Sequence, residues 1–288
     1  MRRLLLGTAS LFALVVGTPV KAADMRVLPP ASAAPGFSWT GAYVGANVGG
    51  AWGHADLSTS GDCSAPTSPP GYFCSQAAGG ANLLAIAANG TGSIDAKSAT
   101  GGIQGGFNWQ IGNVLYGLES DFSWFHLSGT RLVAANYPAN TQNNAVRTTN
   151  IYAIGTSFET NSLFTLRGRL GWTASNLLAY ATGGLALTNL RVANSFTDNV
   201  GALGAIGGAS NSDQRTGWTV GGGLEWALNN HWTVRGEYLY VNFGNQRITA
   251  ATTVTNPSPG FAGYSNALGT SASDLTVQIA RGGINYKF

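Results

Sequence analysis

Charge is what this sequence has least of. Lys, Arg, Asp and Glu supply only 9% of its 288 residues, where a soluble domain carries about a quarter. Cysteine occurs twice and histidine three times, too few for a disulfide scaffold. His54, His126 and His231 fall in separate segments, so no cluster has metal-ligand spacing, and no metal site or cofactor is expected. Long apolar runs are missing as well. Beyond the N-terminal segment no stretch approaches the 18 or so apolar residues of a membrane-spanning helix. An excess of positive charge is also lacking. Arg2, Arg3 and Lys21 stand in a segment that reads as an export signal, and without them 12 basic residues face 12 acidic ones. A neutral chain offers no electrostatic reason to bind nucleic acid.

What is present points outward from the cell. Arg2 and Arg3 precede an apolar stretch from Leu4 to Val16, and Val20-Lys21-Ala22 places small residues where a signal peptidase reads them. Residues 1–22 are expected to be a cleaved signal peptide, residues 23–38 a flexible periplasmic leader, and residues 39–288 one folded domain.

That domain is written in period two, the repeat of a strand with different surroundings on its two faces. The final eight residues set Gly282, Ile284, Tyr286 and Phe288 against Arg281, Gly283, Asn285 and Lys287. Eight segments alternate in this way, at about 39–53, 100–112, 113–128, 162–175, 176–189, 215–228, 231–244 and 275–288. In the last of them, Leu275 to Ile279 alternates poorly. Three connections are tight: Gly112-Asn113, Ser175-Asn176 and Asn229-Asn230-His231, residue types that suit hairpin geometry. The other four, at about 54–99, 129–161, 190–214 and 245–274, read as long loops. Short and long connections alternating around eight antiparallel strands predict an all-β, up-and-down transmembrane barrel. It would have three short periplasmic turns and four long extracellular loops, in the bacterial outer membrane.

Charge decides which face is which. Glu119, Asp121, Arg167, Arg169, Glu225, Arg235, Glu237 and Arg281 all lie opposite the large apolar residues, most of them near the middle of a span of about 10 residues. An Arg turned to lipid there costs roughly 2–4 kcal/mol, so these four acids and four bases are expected inside, neutralising one another. The apolar face then meets lipid, with Tyr116, Trp172, Trp226, Trp232 and Tyr286 as an interfacial aromatic girdle. If Asn229-Asn230-His231 is the turn, Glu225 falls opposite Arg235 and the two are expected to pair. An eight-stranded barrel is just wide enough to be filled by its own side chains, which argues against a general diffusion channel. The alternative is a narrow, porin-like path for ions or small solutes.

Several stretches are familiar: Trp39-Thr-Gly-Ala-Tyr-Val-Gly-Ala-Asn, Gly105-Gly-Phe-Asn-Trp-Gln, Gly117-Leu-Glu-Ser-Asp, Leu166-Arg-Gly-Arg-Leu-Gly-Trp, Tyr180-Ala-Thr-Gly-Gly-Leu-Ala, Gly217-Trp-Thr-Val-Gly-Gly-Gly-Leu-Glu-Trp, Glu237-Tyr-Leu-Tyr-Val and Asn285-Tyr-Lys-Phe288. Through them the chain resembles the outer-membrane immunogenic proteins of alphaproteobacteria, surface antigens with an OmpA-like eight-stranded barrel. The resemblance covers all eight strands and no loop. It implies surface exposure, contact with outer-membrane lipid and lipopolysaccharide, and a part in envelope integrity. It also implies recognition of the terminal aromatic Phe288 by the outer-membrane assembly machinery, with no catalytic residues. A loop ligand is possible, and nothing in the loops names it.

Two smaller patterns remain. His126-Leu-Ser128 is similar to the His-x-Ser of outer-membrane lipid A deacylases, but no acid follows in the chain before Glu159, and Asn140 cannot replace a carboxylate. A lipid A-modifying hydrolase is therefore the lesser alternative. Cys63 and Cys74 stand alone in the first long loop, and in an oxidising compartment they are expected to form a disulfide.

Overall fold

The computed structural model describes residues 37–62, 80–138, 141–142, 145–146, 150–244, 248–255 and 265–288. The expected signal segment, most of the leader, and both Cys63 and Cys74 lie outside these residues. Eleven strands and one helix follow in chain order: β1 Gly41–Asp62, α1 Ala81–Gly90, β2 Gly92–Ile111, β3 Val114–Asn136, β4 Thr141–Gln142, β5 Ala145–Val146, β6 Ile151–Ala174, β7 Leu177–Asp198, β8 Ile206–Ala227, β9 Trp232–Asn242, β10 Ile248–Thr255 and β11 Ser265–Lys287. Neighbours pair antiparallel from β1 to β3, then through β6, β7, β8 and β9 to β11. Strand β11 returns to β1, from Tyr43↔Lys287 to Asp62↔Ala267, and closes the ring. Strand β10 pairs with the outer part of β11, where β9 pairs with its inner part, so the two form one interrupted stave. Eight staves result, with β4 and β5 a small separate hairpin. No described helix is long and apolar enough to cross a membrane.

All three tight turns fall where alternation placed them. Gly112 and Ser175 adopt positive φ (60° and 53°), the conformation such hairpins require. Across the third turn, the Leu228 amide donates to the Trp232 carbonyl at 2.9 Å.

The long loops are a correction. Strand β1 continues to Asp62, β3 to Asn136 and β7 to Asp198, while β2 starts at Gly92, β6 at Ile151, β8 at Ile206 and β11 at Ser265. Much of what reads as loop is barrel wall, and the first connection also holds α1. At about 3.3 Å per residue, strands of this length exceed what a bilayer needs. The wall therefore stands well above the lipid.

The reason is a reversal of polarity. At membrane level Val48, Ile103, Leu118, Leu170 and Leu224 face outward and are more than half exposed, while Asn47, Gln104 and Glu119 are buried inside. Above that level the inner face turns apolar, with Ala55 and Leu57 on β1, Phe125 and Leu127 on β3, Leu190 and Val192 on β7, and Leu275, Val277 and Ile279 on β11. The outer face there carries His54, Asp56, His126, Asn189 and Arg191. Lipid demands an apolar exterior and water a polar one, so the same alternation is read in opposite senses on either side of the interface. Irregularities gather at this height: register shifts at His54/Asp56, Trp124/Leu127 and Thr160/Leu163, the end of β9 at Asn242, and a positive φ at Asp274. Bulges bend a strand and strengthen its twist.

Candidate functional site: the barrel interior

The lumen is built in layers. At the periplasmic end Trp39, Leu115, Leu178 and Ala227 pack together with Tyr180. The Trp39 amide donates to Gln110 Oε1 at 2.9 Å. Above this plug lies the charged layer. Strand register sets Glu119 opposite Arg167, Glu237 opposite Arg281 and Glu225 opposite Arg235, so all eight charges project from neighbouring levels into one space. All eight are buried.

Their contacts cross the lumen. Glu119 is a hub: it accepts from Arg167 and Arg235 and lies 3.6 Å from Arg169 Nη1. Asp121 accepts from Arg167 Nη2 at 2.8 Å and Arg281 Nη1 at 2.9 Å. Glu237 accepts from Arg167 Nη1 at 3.0 Å and Arg281 Nε at 2.8 Å. Glu225 accepts from Arg169 Nη2 at 2.7 Å and Asn285 Nδ2 at 2.8 Å. Four carboxylates balance four guanidiniums, which is how charge survives away from water.

One pairing differs from the sequence expectation. Glu225 and Arg235 do sit opposite each other in the ladder, yet their charged ends meet other partners. Arg235 reaches Glu119 and Glu225 reaches Arg169. Inward side chains of a narrow barrel converge on its axis, and a long guanidinium finds carboxylates from distant strands as easily as the one beside it.

The neutral members of the network were not singled out from sequence. Tyr43 donates to Glu119 Oε2 at 2.6 Å and accepts from Arg169 Nη1 at 2.8 Å. Tyr180 donates to Glu237 at 3.1 Å, and its ring lies 4.0 Å from the Arg169 guanidinium carbon. Gln104 donates to Asn285 Oδ1 at 2.7 Å. Each shares the face of the charges, so period two carried the signal. Partner choice did not follow from it.

Above the charges comes the apolar layer of Leu163, Leu239, Val241, Val277 and Ile279. At the mouth Ile86 of α1 packs with Tyr137, Tyr152, Ile154 and Phe196, and Asn89 donates to the Tyr152 hydroxyl at 2.7 Å. Asp198 ties the neighbouring turn: its Oδ1 accepts from the amides of Val200 (3.0 Å) and Ala205 (2.7 Å), and its Oδ2 from Tyr137 (2.8 Å). Burial holds the Asp198 carboxyl above its ordinary pKa, outweighing those three hydrogen bonds.

The three histidines remain apart. His54 Nδ1 lies 2.7 Å from Asp95, a hydrogen bond that raises its pKa. His231 occupies the periplasmic turn. His126 and Ser128 both face outward just above Trp124, and Ser128 pairs in the ladder with Glu159. The Glu159 carboxylate, distant in sequence, thereby comes within 3.6 Å of His126 Nδ1, with Asn161 closer at 2.9 Å. Phe288 is exposed, and its amide donates to the Ala42 carbonyl at 3.0 Å.

A closed ring, apolar outside and charged within at membrane level, defines an outer-membrane β-barrel. The family description "outer membrane protein beta-barrel domain" matches residues 10–288, and the chain belongs to that family. The 31 kDa outer-membrane immunogenic protein of Brucella melitensis biotype 1 is 32% identical over 99% of this chain and 98% of its own length. The 25 kDa outer-membrane immunogenic protein of Brucella abortus biovar 1 is 26% identical over 90% of this chain and 84% of its own. Among solved structures, Neisserial surface protein A is similar at 14% identity, covering 86% of this chain and 98% of its own, with a TM-score of 0.35. The outer membrane protease OmpT from Escherichia coli is similar at 9% identity, covering 88% of this chain and 98% of its own, with a TM-score of 0.42. The protein is an outer-membrane protein of the same family as these outer-membrane immunogenic proteins.

Proposed function

We propose that this barrel is a non-conducting, non-enzymatic surface protein. It contributes to envelope integrity through its contacts with outer-membrane lipid and lipopolysaccharide, and it acts on its surroundings through the parts that stand above the membrane. What carries this reading is the stacked interior of apolar plug, neutral charge layer, second apolar layer and helix-filled mouth. An ion crossing it would have to break the charge network and then pass a layer lined mainly by Leu, Val and Ile side chains, whose buried Thr160 and Thr188 hydroxyls bond to each other, which is a high barrier for a charge. Planar-bilayer recording tests it. Rare, small events are expected, and large steady steps would establish the narrow-channel alternative instead. Recognition of Phe288 by the assembly machinery belongs to the same reading, and its removal is expected to slow insertion.

One observation favours a second reading. Glu159 supplies, across the sheet, the carboxylate that His126 and Ser128 lack along the chain. An acyl hydrolase needs that trio. Incubating purified barrel with lipid A and weighing the product decides it: loss of an acyl chain, abolished by Ser128→Ala, would replace the non-enzymatic reading.

A further inference from the structure

The lipid-facing wall is not evenly convex. A trough of 730 Å³ lies across it, within the size range of ligand clefts, about 300–1,000 Å³. Its floor is thin because Ala46 and Gly105 present almost no side chain, and Phe122, Phe164 and Ile284 rise around it. At its periplasmic end stand Trp232 and Tyr286, and the same two residues line a second hollow of 520 Å³ over the polar turn residues Asn229, Asn230 and His231. The turn is fixed. Asn229 Oδ1 accepts the amides of His231 and Trp232, both at 2.9 Å, and the Lys287 amide donates to the His231 carbonyl at 2.7 Å. The Asn230 amide and His231 ring are left exposed. His231 stacks on Tyr286 (5.6 Å, 14°), and Trp232 meets the same ring edge-on (5.1 Å, 71°), so an aromatic wall stands where the apolar trough meets this hollow.

We propose that trough and hollow together bind one glycerophospholipid of the periplasmic leaflet, with an acyl chain along Ala46 and Gly105 and the phosphate at Asn230 and His231. The trough lies at lipid level, so hydrocarbon or another apolar surface must fill it. It abuts, at Trp232 and Tyr286, the hollow over the polar turn residues Asn229, Asn230 and His231, an arrangement that suits a molecule with a head and a tail. Trp and Tyr at the join suit the boundary between headgroup and chain. Lipopolysaccharide is disfavoured because the hollow opens at the short-turn side of the barrel, the opposite end from its leaflet.

The test is native mass spectrometry of the whole barrel in mild detergent, titrated with dipalmitoyl phosphatidylethanolamine, with dipalmitoyl phosphatidylglycerol and, separately, with lipid A. One retained phospholipid per barrel is expected, with lipid A binding more weakly. Gly105→Leu should fill the trough. A β-carbon there meets only ordinary contacts, at 3.5 Å and 3.8 Å, so the barrel should still fold, which an unheated gel checks independently. Phospholipid affinity is expected to fall roughly tenfold, the loss of about two methylene contacts. Ala46→Leu fills the same trough from the neighbouring strand should Gly105→Leu fail to fold. His231→Ala with Asn230→Ala should weaken phospholipid binding and leave binding of hexadecane unchanged. No stoichiometric phospholipid, equal binding of lipid A, a dimer in place of the lipid, or unchanged affinity in the folded trough variants would each overturn the proposal.

Discussion

At the residue scale, the protein concentrates its risk in Glu119. This carboxylate lies among three guanidiniums and a tyrosine hydroxyl, so it stands in a network where energies do not add. Glu119→Gln and Arg235→Ala are each expected to cost roughly 3–5 kcal/mol, because each leaves an uncompensated buried charge. The double variant should cost clearly less than their sum. Glu225 and Arg235, adjacent in the ladder but with other ionic partners, should be far more nearly additive. Urea titration in lipid vesicles measures both cycles, and stronger coupling for Glu225–Arg235 than for Glu119–Arg235 would refute the observed partner choice. At the mouth, Asp198 makes a pH prediction. Its pKa is raised in the folded protein. The stability it contributes is therefore fully present below the unfolded carboxyl pKa and is lost as pH rises through the folded one. Corrected hydrogen-exchange protection at Val200 and Ala205 should decline across that window, and the decline should vanish in Asp198→Asn.

At the element scale, β11 shows why a strand can alternate and still be misread. Arg281 and Asn285 face inward at membrane level, as do Leu275, Val277 and Ile279 above it. The poor alternation from Leu275 to Ile279 is regular alternation with its polarity inverted. Ile279→Asp should thus cost roughly 3 kcal/mol or more by placing an unpaired charge in an apolar layer. Gln278→Asp, one position along and facing out, should stay within about 0.5 kcal/mol. Equal effects of the two would mean that the inner face above the membrane has been assigned the wrong way round. The same inversion turns Ser-, Thr- and Asn-rich stretches that resemble loops into wall, since Thr59, Thr188 and Thr270 are buried rather than solvent-facing.

At the scale of the whole molecule, closure is the property with the largest consequence. A ring from β1 to β11 leaves no open sheet edge in lipid, where unpaired amides are not tolerated. The folded protein is expected to run as a compact species on an unheated SDS gel and more slowly after boiling. Identical mobility in protein already reconstituted in lipid would contradict a closed ring. Cys63→Ser should leave this shift intact, since a bridge in the first connection would constrain only what lies outside the membrane.

Some of this was already determined by the sequence. Period two with three hairpin turns set the strand number, and the cost of a charge in lipid set which face is inner, so the eight network residues could be named from their positions alone. These are local properties, carried by neighbours within one strand or across one turn. Three others belonged to the tertiary structure. Contacts across a lumen depend on barrel diameter and on how far each guanidinium reaches, so Arg235 meets Glu119 from a strand remote in sequence. The nearness of Glu159 to His126 depends on β3 pairing with β6. The height at which polarity inverts depends on where the membrane ends, and alternation has the same period on either side of that boundary.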